Sequence, residues 1–136
     1  MTRFPRPVRD LVRTRAQGQC EYCHKPDRYS PHTPQIDHII PRKHNGTDDP
    51  ENLAWACFQC NVCKGTDFAA INEQTGEMIR LFNPRIQNWD DHFLLDDAEM
   101  VGKTAIGRVT IRILQMNHPD QIETRRVLIE NGLWKA

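Results

Sequence analysis

Cys20, Cys23, Cys57 and Cys60 stand as two CxxC pairs, and between them lies QIDHIIP, residues 35–41, in which Asp37 and His38 are neighbours inside an apolar run. Each CxxC turn aims two sulfurs at one point, and four thiolates in a tetrahedron are the donor set of a structural Zn²⁺. A metal ringed by four thiolates keeps no open position, so it holds a fold and does no chemistry. The 33 residues between the pairs exceed the spacing of compact zinc ribbons, so something is built between them. The competing chemistry, a dithiol redox centre, uses one CxxC at a helix start in a βαβ context, which the pattern lacks. Cys63 is left over and reads as a small apolar residue on a helix.

Asp37 and His38 have a plain reading as a solvent-facing pair at a strand end. They have a second one through Asn61, which directly follows the last cysteine of the second pair. If a metal fixes both cysteine turns, Asp37 and Asn61 converge. A carboxylate and an amide oxygen are hard ligands, suited to Mg²⁺ or Mn²⁺. His38 alternates to the other face of the strand, from where an imidazole can take a proton from water. That set has the composition of a one-metal phosphodiester hydrolase: a base for water, and a cation against the charge on the phosphate and leaving oxygen.

The elements that must carry these residues can be read off in turn. Residues 7–17 (PVRDLVRTRAQ) predict a short helix with Val8, Leu11, Val12 and Arg15 on one face, Arg6, Arg9 and Arg13 on the other, and Gly18 as its stop. The Pro-bearing stretch 25–34 is loop, and 35–40 is strand. Residues 41–50 form a polar loop with Gly46, long enough to be functional. NLAWA (52–56) is the partner strand, and CFQCNVCK (57–64) opens a helix ending at Gly65. Trp55 and Phe58 read as core beside the metal frame. Beyond residue 68, AAINEQTGEMIRLF predicts a hairpin and Trp89–Phe93 a helical turn. Thr104–Met116 predicts a helix capped by Thr104, and residues 119–131 a second, with Pro119 at N1 and Gly132 at C′. This tail shows no catalytic cluster and reads as an extension that packs on the core and shapes the substrate site.

At 136 residues, 38% hydrophobic and 26% charged, the chain is a single globular domain short enough to need a staple. Its formal net charge is zero, so bulk charge names no partner. Distribution says more: Arg3, Arg6, Arg9, Arg13, Arg15 and Lys25 face only Asp10 and Glu21, whereas residues 90–99 hold five acids and no Lys or Arg. The basic end suits a phosphate backbone, positioning it without reading sequence; the acidic run reads as solvated surface. Arg42 and Lys43 add positive charge in the loop and read as further nucleic-acid contacts; His44 beside them could touch DNA but reads rather as a mobile surface histidine. The N-terminus has no apolar signal segment, and no stretch is long enough to span a membrane. The expected location is therefore cytoplasmic, where thiols stay reduced and cysteine pairs bind metal.

The ordered set of Cys20-Cys23, Asp37-His38-Ile39-Ile40-Pro41, Gly46, Asn52-Leu53, Cys57-Cys60-Asn61 and Lys64 resembles the HNH endonuclease family. The tail segments LFNPR, WDDHF and GKTAIGR are similar to those of small bacterial HNH proteins. The resemblance implies an α+β fold with a zinc-stapled ββα-metal, treble-clef-like core over residues 1–67, carrying an N-terminal basic helix. A C-terminal hairpin and helices over residues 68–136 would pack on it as one domain. It implies His38 as general base, Asn52 holding the loop so that His38 stays aimed, and Asp37 and Asn61 as ligands of the catalytic cation. Asn61 departs from the histidine that many members carry there, and favours Mg²⁺ over transition metals. Lys64 would contact phosphate or stabilise the transition state; its plain alternative is a solvated lysine at a helix end. The implied partner is DNA, with RNA still open, and the implied state a monomer or weak homodimer, because one ββα unit offers one hydrolytic site. The competing function is a zinc-stapled nucleic-acid-binding module without catalysis, which needs the cysteines but not Asp37, His38 and Asn61.

Overall fold

The computed structural model describes residues 4–134; Arg3 of the basic end lies outside them. Helix α1 (Arg6–Arg15) begins after Pro5, whose extended backbone starts it, and ends in Arg13 and Arg15 at the negative pole of its dipole. Its buried stripe is narrower than the spacing predicts. Val12 and Ala16 are buried, whereas Leu11 is exposed. Arg15 belongs to the buried side: its guanidinium donates to the carbonyls of Pro50 and Leu53, both at 2.6 Å. The helix is thereby tied to the start of the second strand.

Strands β1 (Gln35–His38) and β2 (Leu53–Ala56) pair antiparallel, with Asp37 opposite Ala54 and His38 opposite Leu53. Alternation then sorts the hairpin into two faces. Leu53 and Trp55 pack with Val12 and Ala16, and Ile36 joins them against α1. Ala54 and Ala56 join Ile39, Tyr22 and the cysteines on the opposite side. Helix α2 (Phe58–Lys64) crosses that second side, entering through Cys57, whose sulfur accepts from the Cys60 amide, and leaving at Gly65. The connection between the strands is less open than a polar loop suggests. It contains 3₁₀ turns at Arg42–His44 and Pro50–Asn52. Gly46 lies so close to the chain before it that a Cβ there would sit 1.6 Å from the Ile40 carbonyl oxygen. No other residue fits.

The rest of the chain adds two hairpins and three helices: β3 (Ala69–Ile71) with β4 (Met78–Arg80), α3 (Trp89–His92), β5 (Phe93–Asp96) with β6 (Glu99–Gly102), α4 (Ala105–Ile113) and α5 (Pro119–Glu130). The first hairpin and the helices follow the sequence reading, including Thr104 as the side-chain cap of α4 and Pro119 at the start of α5. The β5–β6 hairpin was not anticipated. Its turn needs a left-handed residue, supplied by Asp97 at φ 58° rather than by glycine, and so it carries no turn signature. All five acids of residues 90–99 are exposed on this stretch. One cluster of buried side chains joins the two halves: Phe82, Phe93, Met100, Val109, Leu114 and Met116 lie in the same core as Tyr22 and the four cysteines. Trp89 adds a direct link, its indole donating to the Tyr22 carbonyl at 2.8 Å while its ring stacks on His24. The architecture is therefore α+β, three small antiparallel sheets with helices around a four-cysteine group. Among the described residues no helix is long and apolar enough to cross a membrane.

Candidate metal centre and adjoining polar pocket

The four cysteines converge as their spacing demands. Their sulfurs lie within 4.8 Å of one another, all four residues are buried, and Cys23 Sγ is 3.8 Å from Cys57 Sγ. A tetrahedron of sulfurs about 2.3 Å from a central ion has edges of roughly 3.8 Å, so the donor set and its spacing fit a zinc ion. Hydrogen bonds from Cys20, Cys23 and Cys60 hold the Cys57 thiol far below its ordinary range, while those with Cys20 and Cys57 push Cys23 up and those with Cys20, Cys23 and Cys57 push Cys60 up. Four thiolates cannot share so small a buried volume without a cation. Cys63 stands apart, half-buried, accepting from Gln59 at 3.2 Å. The knuckle is itself locked to β2: the Glu21 amide donates to the Trp55 carbonyl, and the Glu21 carboxylate accepts from the Trp55 amide and pairs with Arg85.

At the other end of α2 lies a pocket of about 260 Å³ lined by residues that include Asp37, His38, Arg42, Lys43, Asn61 and Gly65. Asp37, His38 and Asn61 meet here although 23 positions separate His38 from Asn61. The hairpin supplies the first two and α2 the third. The Asn61 side chain makes no hydrogen bond among the described residues, so its amide oxygen is available. Asp37 is more engaged. It is 4% exposed, accepts from the Tyr22 hydroxyl at 2.6 Å and from the Lys64 ammonium at 3.2 Å. Burial pushes the Asp37 carboxyl above its ordinary value, against which Lys64 and Tyr22 pull it down. The Tyr22 hydroxyl is pushed well up by burial and by the Asp37 charge.

Lys64 is where sequence and structure part. It is 1% exposed, and its ammonium donates to the Asp37 carboxylate and to the carbonyls of His38 at 3.0 Å and Ile39 at 3.2 Å. It does not sit in solvent, as its plain alternative had it. It is a buried cation with three oxygen partners, neutralising Asp37 and pinning the end of β1 to α2. Phe58 is a second correction: at 41% exposure it is not core, unlike Trp55, which is buried with its indole donating to Asp27.

His38 is held from two sides. The ring of Phe4 lies 5.4 Å away, and Nε2 is 2.8 Å from Asp48 Oδ1. A carboxylate only accepts, so Nε2 donates this bond, and in the neutral ring it is Nδ1 that carries the lone pair. Asp48 is fixed in turn by Arg42, whose Nε and Nη2 reach its two oxygens at 3.0 and 2.5 Å. Hydrogen bonds from Arg42 and then His38 hold the Asp48 carboxyl below its usual range. Sequence reasoning passed over Asp48, because an acid in a polar loop ten residues from a histidine carries no signal until the loop folds back. Asn52 makes that fold. Its Oδ1 accepts from the Ile40 amide at 2.9 Å, and its Nδ2 donates to the carbonyls of Ile40 and Thr47 at 2.9 and 2.8 Å. Arg42 and Lys43 stand at the pocket wall. Arg6, Arg9 and Arg13 are exposed on α1 and line none of it, and Arg13 is paired with Asp10.

A hairpin and a helix joined by four convergent cysteines, with an acid, a histidine and an amide at their open end, define a metal-stapled ββα unit. Residues 20–67 match the family model of the HNH endonuclease, and the four convergent cysteines lie within that segment. No curated protein and no solved structure matches the chain.

Proposed function

We propose that the protein is a metal-dependent DNA endonuclease that hydrolyses phosphodiester bonds in the pocket of Asp37, His38 and Asn61, with a structural zinc ion in the four-cysteine group. The observation that carries this reading is the meeting, in one pocket, of an aimed imidazole with a carboxylate and an unengaged amide oxygen. His38, its Nε2–H donated to Asp48, takes a proton from water at Nδ1. Asn52 holds the loop that carries Asp48 and so keeps the ring in place. Asp37 and Asn61 would hold a Mg²⁺ or Mn²⁺ ion, which when bound supplies charge stabilisation to the phosphate and the leaving oxygen. Lys64 keeps Asp37 ionised and oriented, and Arg42 and Lys43 offer positive charge at the rim. One such pocket per chain makes the expected product a nick.

One observation favours a second reading, a non-catalytic zinc-stapled nucleic-acid-binding module. The Asp37 carboxylate is already satisfied by Tyr22 and Lys64. Supercoiled plasmid separates the two. The purified protein with Mg²⁺ or Mn²⁺ is expected to convert it to the open circle. EDTA is expected to abolish this, and a His38→Ala variant that keeps its zinc to lose on the order of 10²–10⁴-fold in rate. Plasmid binding without cutting, by folded zinc-loaded protein, supports the binding module; equal cutting by wild type and variant removes His38 from the chemistry.

A further inference from the structure

Between the segment that follows the knuckle and the start of α2 lies a second recess of about 370 Å³, whose walls include Lys25, Tyr29, His32, Phe58, Gln59 and Gln121. No acid lines it. Two independent features mark it as built for a ligand. The first is aromatic: Phe58 is 41% exposed, Tyr29 is also exposed, and the His32 ring lies 4.5 Å from the Phe58 ring at 32°. An exposed phenylalanine beside a second ring is costly to leave in water and offers a π-face. The second is ionic: Lys25 is only 8% exposed, yet its ammonium has no hydrogen bond or ion pair among the described residues. Lys64, the other buried lysine, has three oxygen partners. The Lys25 stem is covered while its unpaired ammonium opens onto the recess, where it is free to meet an anionic group.

A ligand that satisfies both carries a planar ring and an anionic group a short distance away, which is the chemistry of a nucleotide. Gln59 and Gln121 supply amide donors and acceptors that suit the edge of a base. The recess shares an element with the proposed catalytic pocket: Phe58 and Gln59 of α2 line one, and Asn61 of α2 with the following Gly65 line the other. From Phe58 to Gly65 the helix rises about 10 Å, within reach of a few nucleotides of one strand. A paired base is stacked inside a duplex and cannot present its face to Phe58; an unpaired one can.

We propose that this recess binds an unpaired nucleotide of the substrate strand, its base against Phe58 and His32 and its phosphate on Lys25, so that the enzyme acts on single-stranded or locally opened DNA. This rests on the nuclease reading above. The test is binding of a fluorescently labelled oligo-dT by the zinc-loaded protein in EDTA, beside a duplex of equal length, with plasmid nicking in Mg²⁺ run in parallel. Oligo-dT is expected to bind tighter than duplex, and Phe58→Ala and Lys25→Met to weaken it on the order of tenfold each. Series of oligo-dT with a single abasic position are expected to contain one position that reproduces the Phe58→Ala loss and adds nothing to it. Displacement of oligo-dT by free dTMP with an affinity equal to or above that of the oligonucleotide would assign the site to a free nucleotide instead and overturn the strand reading. Wild-type nicking together with unchanged oligo-dT binding by both variants would sink this inference while leaving the nuclease standing. Absence of both nicking and nucleic-acid binding by the wild type would remove the two together.

Discussion

Helix α2 serves two sites of opposite character, one residue apart. Cys60 points into a closed, buried group of four sulfurs, whereas Asn61 lines an open pocket with Asp37 and His38. The first group has one plausible occupant and no room for a substrate. The second has an unsatisfied amide, an aimed imidazole and a neutralised acid, and keeps space of about 260 Å³. One helix thus borders two different environments: a closed group suited to one kind of ligand, and an open pocket built from side chains whose own partners set their direction.

The separation can be tested from its strongest side. Cys57→Ser or Cys60→Ser is expected to remove zinc and with it the fold, because a structural zinc contributes on the order of 10 kcal/mol to so small a domain. Zinc content by mass spectrometry and near-ultraviolet circular dichroism would show it, and a well-folded zinc-free variant would end the view that this group is the staple. Next comes Lys64→Met, which leaves the Asp37 carboxylate buried without its cation and is expected to cost about 3–5 kcal/mol in urea unfolding. Adding Asp37→Asn is expected to restore part of that stability. If the single change costs nothing, the pair is not the link between β1 and α2. Asn52→Ala removes three hydrogen bonds from a loop that is partly solvated, for an expected loss of roughly 2 kcal/mol, with a fall in nicking beyond what the unfolded fraction explains. The smallest effect is expected at Asp48→Asn. It is exposed, so stability should hardly move, while nicking drops about 10–100-fold through a less well oriented His38. A loss of stability without a loss of rate would make Asp48 a loop clasp for Arg42 and nothing more.

How far each site could be read in advance follows from the range of the interactions that make it. The cysteine group was fully legible, since each CxxC turn is local and four soft ligands admit few partners. The hairpin and α2 were legible too, because Gln35–His38 and Leu53–Ala56 carry strand-forming residues and Gly65 ends the helix. The roles around Asp37 were not. A lysine at the end of a seven-residue helix looks solvated, and only the crossing of α2 over β1 puts Lys64 within reach of Asp37 and two carbonyls. Phe58 looked like core for the converse reason: its neighbours in sequence are buried cysteines, but its own side of the helix faces outward.

The sequence by itself determined which donors exist and in what order, and with them the four-sulfur group, the strand–loop–strand–helix succession and the candidate acid, base and amide. These depend on residue type and on spacings of a few residues, where backbone geometry leaves little choice. Only the tertiary structure decided that Asp48 returns to His38, that Lys64 is buried against Asp37, and that Lys25 and Phe58 open onto one recess. Those contacts join segments ten to more than thirty residues apart, and their distances depend on how the hairpin, the knuckle and α2 pack around one core.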